Sequence, residues 1–276
     1  MIFTHRRWQV FCEKLHNAGI HSIPAKNVDG TLSKYVVLKH DVETDVRKAY
    51  QMAKIEHSFG HKGSYYVQAY LLKNSDTVSL LQKMQSMGHE ISYHHDVMDS
   101  CRGDLTKAVL EFEENRKRFE DNGFPVQTVC QHGNPIVERI GYTSNRDFFR
   151  SNRVQSLYPA ISDIMVDYPQ KHDTKYSYFS DAGRKFKQIF DPLNNDVVDT
   201  SDRDVVFGNL KAVFSAIQNG DASIISVHPH RWTASAIVYL VRLWIFKTVR
   251  FLARLLSKIP VFKKILERFY FLAKKF

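Results

Sequence analysis

The stretch Gly88-His89-Glu90-Ile91-Ser92-Tyr93-His94-His95-Asp96 (GHEISYHHD) sets three histidines and two acids into nine residues. Gly88 closes the helical pattern of TVSLLQKMQSMG (77–88), so a strand is expected from His89. Side chains alternate along a strand, which puts 90, 92 and 94 on one face and 89, 91, 93 and 95 on the other. His94 and His95 therefore do not both face one site. His89, at the strand's start, reads as structural. A metal or catalytic site here needs partners from other strand ends.

Working outward, the same grammar repeats. YVVLKH (35–40), KGSYYVQA (62–69), VQTVCQH (126–132), YSYFSDA (176–182) and SIISVH (223–228) read as strands. Helical patterns fall at 44–59, 77–88, 104–123 and 202–220; Asp104 is placed to cap the third and Gly123 to end it. The region 134–175 reads as irregular. This βα alternation predicts an α/β protein with a mostly parallel sheet, closed or nearly closed into a barrel. The reactive residues then share one geometry. His40 and Asp41, His94 and His95, His132, Asp181 and His228 all stand at the carboxyl ends of strands, the rim where βα barrels assemble their active sites.

Each motif also has a plainer reading. Asp41 after an apolar strand can be a helix cap or turn residue. QHGNP (131–135) is turn chemistry as well as a histidine on a rigid corner. SVHPHRW (226–232) can be a capped strand end with a packing Trp, or a rim histidine acting as a general acid near neutral pH. Asp181 and Arg184 in YFSDAGRKF (178–186) can be a surface pair, or an aspartate orienting a histidine. It is the set that favours chemistry: an Asp with two His is a common facial set for a divalent metal.

Taken together, HDVE (40–43), GHEISYHH (88–95), QHGNP, YFSDAGRKF and HPHRW (228–232) resemble the motif series of the polysaccharide deacetylase superfamily (NodB-like, carbohydrate esterase family 4), in its HDVD-type branch. The resemblance spans roughly residues 35–232. It implies a distorted (β/α) barrel and a divalent metal, often zinc. It also implies hydrolysis of an N-acetyl group on an amino sugar of a polysaccharide or lipid-linked glycan precursor. Matched by motif, Asp41 and His94 are metal ligands, His228 is the general acid, and Asp181 and Arg184 are orienting residues. The chain departs from the pattern in places. Met98 stands where a second histidine is usual, so His132, with His95 as the alternative, is the replacement ligand. His40 occupies the usual base position. Glu43 replaces an aspartate and is a base or a further ligand. Phe186 replaces a Trp. The runner-up reading is a non-catalytic deacetylase-like protein that binds glycan or serves as a scaffold at the membrane.

Charge separates the chain into two parts. The formal net charge is +10, yet residues 233–276 alone hold ten Lys/Arg against one acid, Glu267. The body at 1–232 is thus nearly neutral, which removes the electrostatic basis for nucleic-acid binding. The tail is apolar but punctuated by Arg242, Lys247, Arg250 and Arg254, and Pro260 separates it from a second basic segment, Val261–Phe276. Internal charges disfavour a membrane span and favour an amphipathic helix lying on an anionic membrane surface. Three scattered cysteines and an N-terminus without an apolar run point to a cytoplasmic protein, peripherally bound to the inner face of the cell membrane.

Overall fold

The computed structural model describes residues 1–29, 31–32, 34–134, 137–168, 176–193, 203–220 and 222–256. In chain order the elements are α1 (His5–Asn17), β1 (Val36–Val42), α2 (Val46–Ser58), β2 (Gly63–Val67), α3 (Ser75–Ser86), β3 (Glu90–His95), α4 (Val97–Ser100) and α5 (Leu105–Asp121). Then follow β4 (Thr128–Gln131), α6 (Asp147–Arg150), α7 (Asn152–Leu157), β5 (Ser162–Asp163), β6 (Tyr176–Ser180), β7 (Phe186–Ile189) and β8 (Val205–Phe207). The last three are α8 (Leu210–Gln218), β9 (Ala222–Val227) and α9 (Ala236–Leu256).

The nine strands form one sheet in the order β5-β4-β3-β2-β1-β9-β6-β7-β8. From β5 to β6 every pair is parallel; β7 and β8 are added antiparallel. Among the described residues no ladder joins β5 to β8, yet the sheet curls on itself. Val37 of β1, Tyr66 of β2, Cys130 of β4, Tyr178 of β6 and Ile224 of β9 share one apolar cluster, although β4 and β6 are far apart in strand order. Only a curved sheet, the barrel-like form expected, brings them together.

The outer face is covered by helices. Ala49 and Ala53 of α2, Leu81 and Met84 of α3, and Phe112 and Phe119 of α5 pack on Tyr65, Ile91 and Tyr93. Trp8, Phe11 and Leu15 of α1, with Val213 and Ile217 of α8, pack on Val36, Leu38 and Ile225. The central strands β1, β2, β3 and β9 are therefore buried on both faces, as parallel strands between two apolar layers must be.

Local chemistry sets the helix starts. Asp45, Asn74, Asp104 and Asn209 each accept a backbone N–H from the first turn that follows. The helix expected over 202–220 is shorter. Gly208 and Asn209 interrupt it, so Val205–Phe207 becomes an edge strand and the helix starts at Leu210. The region 134–175 holds α6, α7 and β5 in its described part. Val261–Phe276 lies outside the described residues.

The start of α9 is part of the body. Thr233 bridges Thr4, and Tyr239 is buried beside Phe3 and Trp232. The packed unit thus continues past residue 232. Ile237, Leu240, Val241, Trp244 and Phe251 on the same helix are exposed. No helix among the described residues is long and apolar enough to cross a membrane.

Candidate metal and hydrolase site

Parallel strands carry the expected residues to one end of the sheet. Asp41 is on β1, with Glu43 just past its end; His94 is on β3, and His132, Asp181 and His228 directly follow β4, β6 and β9. Alternation sorts them, for His94 and His95 as the sequence predicts. Lys39 and Asp41 face inward on β1 while His40 faces out, and His94 faces inward while His95 faces out. The outward pair is spoken for. His40 Nε2 lies 2.8 Å from Glu56 Oε1, with its ring stacked 4.1 Å from that of Tyr65. His95 Nε2–H donates to Asp163 at 2.9 Å among Phe112, Phe148 and Phe149. Neither reaches the inner cluster, so His40 as base and His95 as ligand are both excluded by strand parity. His89 is structural: it accepts from Gly63 N at 2.9 Å and bonds the Ala53 carbonyl at 3.1 Å.

Asp181 and His228 form a dyad. The Asp181 carboxylate only accepts, so His228 Nδ1–H donates to it, at 2.6 Å, and Nε2 is left facing the site. Asp181 also accepts from His228 N at 3.1 Å, Arg231 Nη1 at 3.0 Å and Trp232 Nε1 at 3.0 Å. Burial would raise this carboxyl, but His228 and Arg231 outweigh it and hold it at about 2. The guanidinium on Asp181 is therefore that of Arg231. Arg184 sits three residues on, after a left-handed Gly183, and stacks on Phe246 of α9 at 4.5 Å.

The other half of the site lies within reach but outside hydrogen-bond distance. His228 Nε2 is 3.7 Å from Asp41 Oδ2 and 3.8 Å from Glu43 Oε1, and Glu43 Oε2 is 3.7 Å from His132 Nε2. His94 Nδ1–H donates to the Cys130 carbonyl at 3.0 Å, which fixes the tautomer and leaves Nε2 as the donor atom. Burial pushes His94 down to about 3, against the opposing pull of Asp41, so its ring is neutral.

Two sets of potential metal ligands meet here, each within 4.8 Å: Asp41, His94 and Cys130, and Glu43, His94 and His132. The expected trio Asp41, His94 and His132 is thus divided between two layers. Asp41 and Cys130 lie deeper; Glu43 and His132 stand two residues nearer the rim, and His94 belongs to both. One carboxylate and two imidazoles, one of them tautomerically locked, suit a divalent ion such as zinc. In the deeper set, burial raises the Cys130 thiol well above its usual value.

Lys39, His230, Arg231 and Trp232 were not among the expected site residues. The Lys39 ammonium touches both Asp41 oxygens, at 2.6 and 2.7 Å. Burial would lower Lys39, but Asp41 outweighs it and it stays charged; Asp41, which burial would raise, is held below its usual range chiefly by Lys39. The signal for Lys39 was its parity with Asp41. Arg231 and Trp232 stood beside His228 in SVHPHRW, but their reach back to Asp181 depends on the turn at Pro229–Arg231. The His230 ring lies 5.8 Å from that of His228, and burial pushes it down to about 3.

No family model and no curated protein matches the chain. Among solved structures it is similar to a carbohydrate esterase 4 (CE4) esterase of Streptococcus mutans, at 12% identity over 81% of this chain and 85% of that one, TM-score 0.46. It is also similar to the Xyl-CE4 domain of a multidomain xylanase from the hindgut metagenome of Trinervitermes trinervoides (16%, 71% and 74%, TM-score 0.40). A third is the catalytic domain of a peptidoglycan N-acetylglucosamine deacetylase from Eubacterium rectale (12%, 77% and 84%, TM-score 0.39).

Proposed function

We propose that the protein is a metal-dependent amide hydrolase that removes the N-acetyl group from an amino sugar of a polysaccharide or lipid-linked glycan precursor. One observation carries this reading. His228 is held by Asp181 at 2.6 Å with its Nε2 turned toward two carboxylates and, beyond them, two further histidines. A divalent ion, zinc by its donor set, supplies a Lewis acid at the acetyl carbonyl when bound. The protein's own groups move the protons. A carboxylate of the Asp41–Glu43 pair accepts a proton from the attacking water. His228, protonated at Nε2, gives its proton to the amine nitrogen as the C–N bond breaks, and Asp181 stabilises the imidazolium. The products are acetate and a free amino sugar. To test this, metal-loaded protein is incubated with N-acetylhexosamine oligosaccharides and released acetate is measured. Release that a chelator abolishes and added metal restores is expected; no release across the substrate panel sinks the proposal.

The protein acts, on this reading, at the inner, cytoplasmic face of the membrane. Supporting it are the exposed Ile237, Leu240, Val241, Trp244 and Phe251 of α9, whose opposite side is pinned to the body by Tyr239 and by Phe246 on Arg184. A cleft of about 720 Å³ opens beside the start of α9, lined by Arg6, Arg7, Lys14 and Lys211 together with Met1 and Val10. An apolar ridge beside a basic cleft fits an anionic lipid surface. Co-sedimentation with phosphatidylglycerol vesicles is expected for the full chain and lost on Trp244→Ser with Phe251→Ser. Equal sedimentation of both would rule the surface out.

A further inference from the structure

The Asp41 corner of the site already contains a cation. Lys39 Nζ lies 2.6 and 2.7 Å from the two carboxylate oxygens of Asp41 and 3.2 Å from Ser226 Oγ. The ammonium therefore straddles the carboxylate where a bidentate ion would sit. The fold builds this contact in. Residues 39 and 41 share a face of β1, and Lys39 is register-paired with Ser226 of β9. The Lys39 side chain is 1% exposed, so it cannot leave Asp41 without becoming a buried, unpaired charge. A divalent ion at the same oxygens would face a like charge at contact distance.

One layer nearer the rim the arrangement differs. Glu43, His94 and His132 bring their donor atoms within 4.8 Å of one another. His94 is aimed by its bond to the Cys130 carbonyl, and Glu43 reaches the rim layer because it stands two residues beyond Asp41 and is one methylene longer.

We propose that the divalent ion binds at Glu43, His94 and His132, and that Asp41 is not a ligand because Lys39 holds the cation's place there. This assignment rests on the metal-dependent reading above. Lys39 is then a positioning residue that fixes Asp41 beside His228, and Asp41 is the carboxylate left to accept the water's proton.

The test measures Zn²⁺ dissociation constants by calorimetry against a competing chelator, on the full chain. The variants are Glu43→Gln and the double substitution Lys39→Met with Asp41→Leu, which replaces the buried pair by apolar groups of similar size. Glu43→Gln is expected to weaken binding by about a hundredfold or more, while the double variant stays within about threefold of wild type. Loss in the double variant equal to that in Glu43→Gln, or wild-type affinity in Glu43→Gln, overturns the assignment. Should either variant fail to fold, a Zn²⁺-loaded crystal structure of the wild type decides: the ion is expected within about 2.2 Å of a Glu43 oxygen, and an ion on Asp41 overturns it. Wild-type protein that takes up no Zn²⁺, Co²⁺ or Mn²⁺ sinks the metal-dependent reading as a whole. Tight binding that needs Asp41 sinks only this ligand set.

Discussion

Strand β1 carries two buried acid–histidine clusters, one on each face, and they differ in their distances. On the outer face Glu56 is fully buried: Oε1 accepts from Trp8 Nε1 at 2.9 Å and pairs with His40 at 2.8 Å, while Oε2 accepts from Tyr65 at 2.8 Å. On the inner face Asp41, Glu43, His132 and His228 face one another at 3.7 to 3.8 Å. The residue types are nearly the same. The outer cluster is closed around Glu56, whose two oxygens accept from Trp8 and Tyr65 and lie at contact distance from His40, which is how a buried charge becomes tolerable. In the inner cluster Asp41 is closed by Lys39, while His228 and His94 are held open by second partners, Asp181 behind His228 and the Cys130 carbonyl behind His94. A closed cluster serves stability, and an open one holds its donors ready for a ligand and for proton transfer.

The largest effect that tests this contrast is on activity. His228→Ala is expected to lower acetate release by about 10²–10⁴-fold, the usual contribution of a positioned acid, with a smaller loss of stability than a truncation at Glu56, because Asp181 keeps the backbone N–H of residue 228, Arg231 and Trp232 as donors. Parallel kinetics and thermal melts check it. A variant that keeps its rate, or one that unfolds, would place His228 in the closed class and break the comparison.

The mirror-image experiment is on the outer face. Glu56→Ala leaves His40, Trp8 and Tyr65 without their shared partner, which is expected to cost about 3 kcal/mol or more of stability. Burial would raise the Glu56 carboxyl, but His40 and His89, with Tyr65, outweigh it and hold it below its usual range, so a charge is being removed. Urea unfolding measures the loss, and the fraction still folded is expected to release acetate at the wild-type rate. A loss of activity out of proportion to unfolding would mean that the outer cluster reaches the chemistry.

Much of this contrast was legible in the sequence, because strand parity is a local property. Alternation alone separates His94 from His95, and Lys39 with Asp41 from His40. Glu56 falls at helical spacing with Ala49, Met52 and Ala53, which marks it as inward-facing on α2. Asp104 is legible as a cap because its partners, Thr106 and Lys107, are its neighbours. What was not legible depends on loops and on depth. Arg184 and Arg231 are equal candidates for Asp181 until the left-handed turn at Gly183 and the turn after β9 are known. Division of the ligands into two layers depends on how far a side chain reaches past a strand end, and periodicity does not encode that. The edge strand Val205–Phe207 was hidden for a related reason: its valines are exposed and continue the apolar pattern of the helix behind them.

Asp181 sharpens the comparison because it belongs to both regimes: four donors close it, yet it serves the open half of the site. Its folded value of about 2 lies below the usual 3.8 because His228 and Arg231 outweigh the opposing effect of burial. A depressed carboxylate contributes stability that is present above the unfolded value and lost as pH falls through the folded one. That depression corresponds to roughly 2 kcal/mol in full. Between about pH 5 and about pH 3 the unfolded chain takes up most of a proton at this site while the folded chain takes up little, so about 1 kcal/mol is lost in that window. Asp181→Asn cannot titrate. The stability gap between wild type and this variant, measured by urea midpoints at each pH, is therefore expected to narrow by about 1 kcal/mol from about pH 5 to about pH 3. A gap that stays constant would mean that Asp181 is held by its neutral donors alone. The imidazolium of His228, on which proton delivery to the leaving amine depends, would then have lost its electrostatic support.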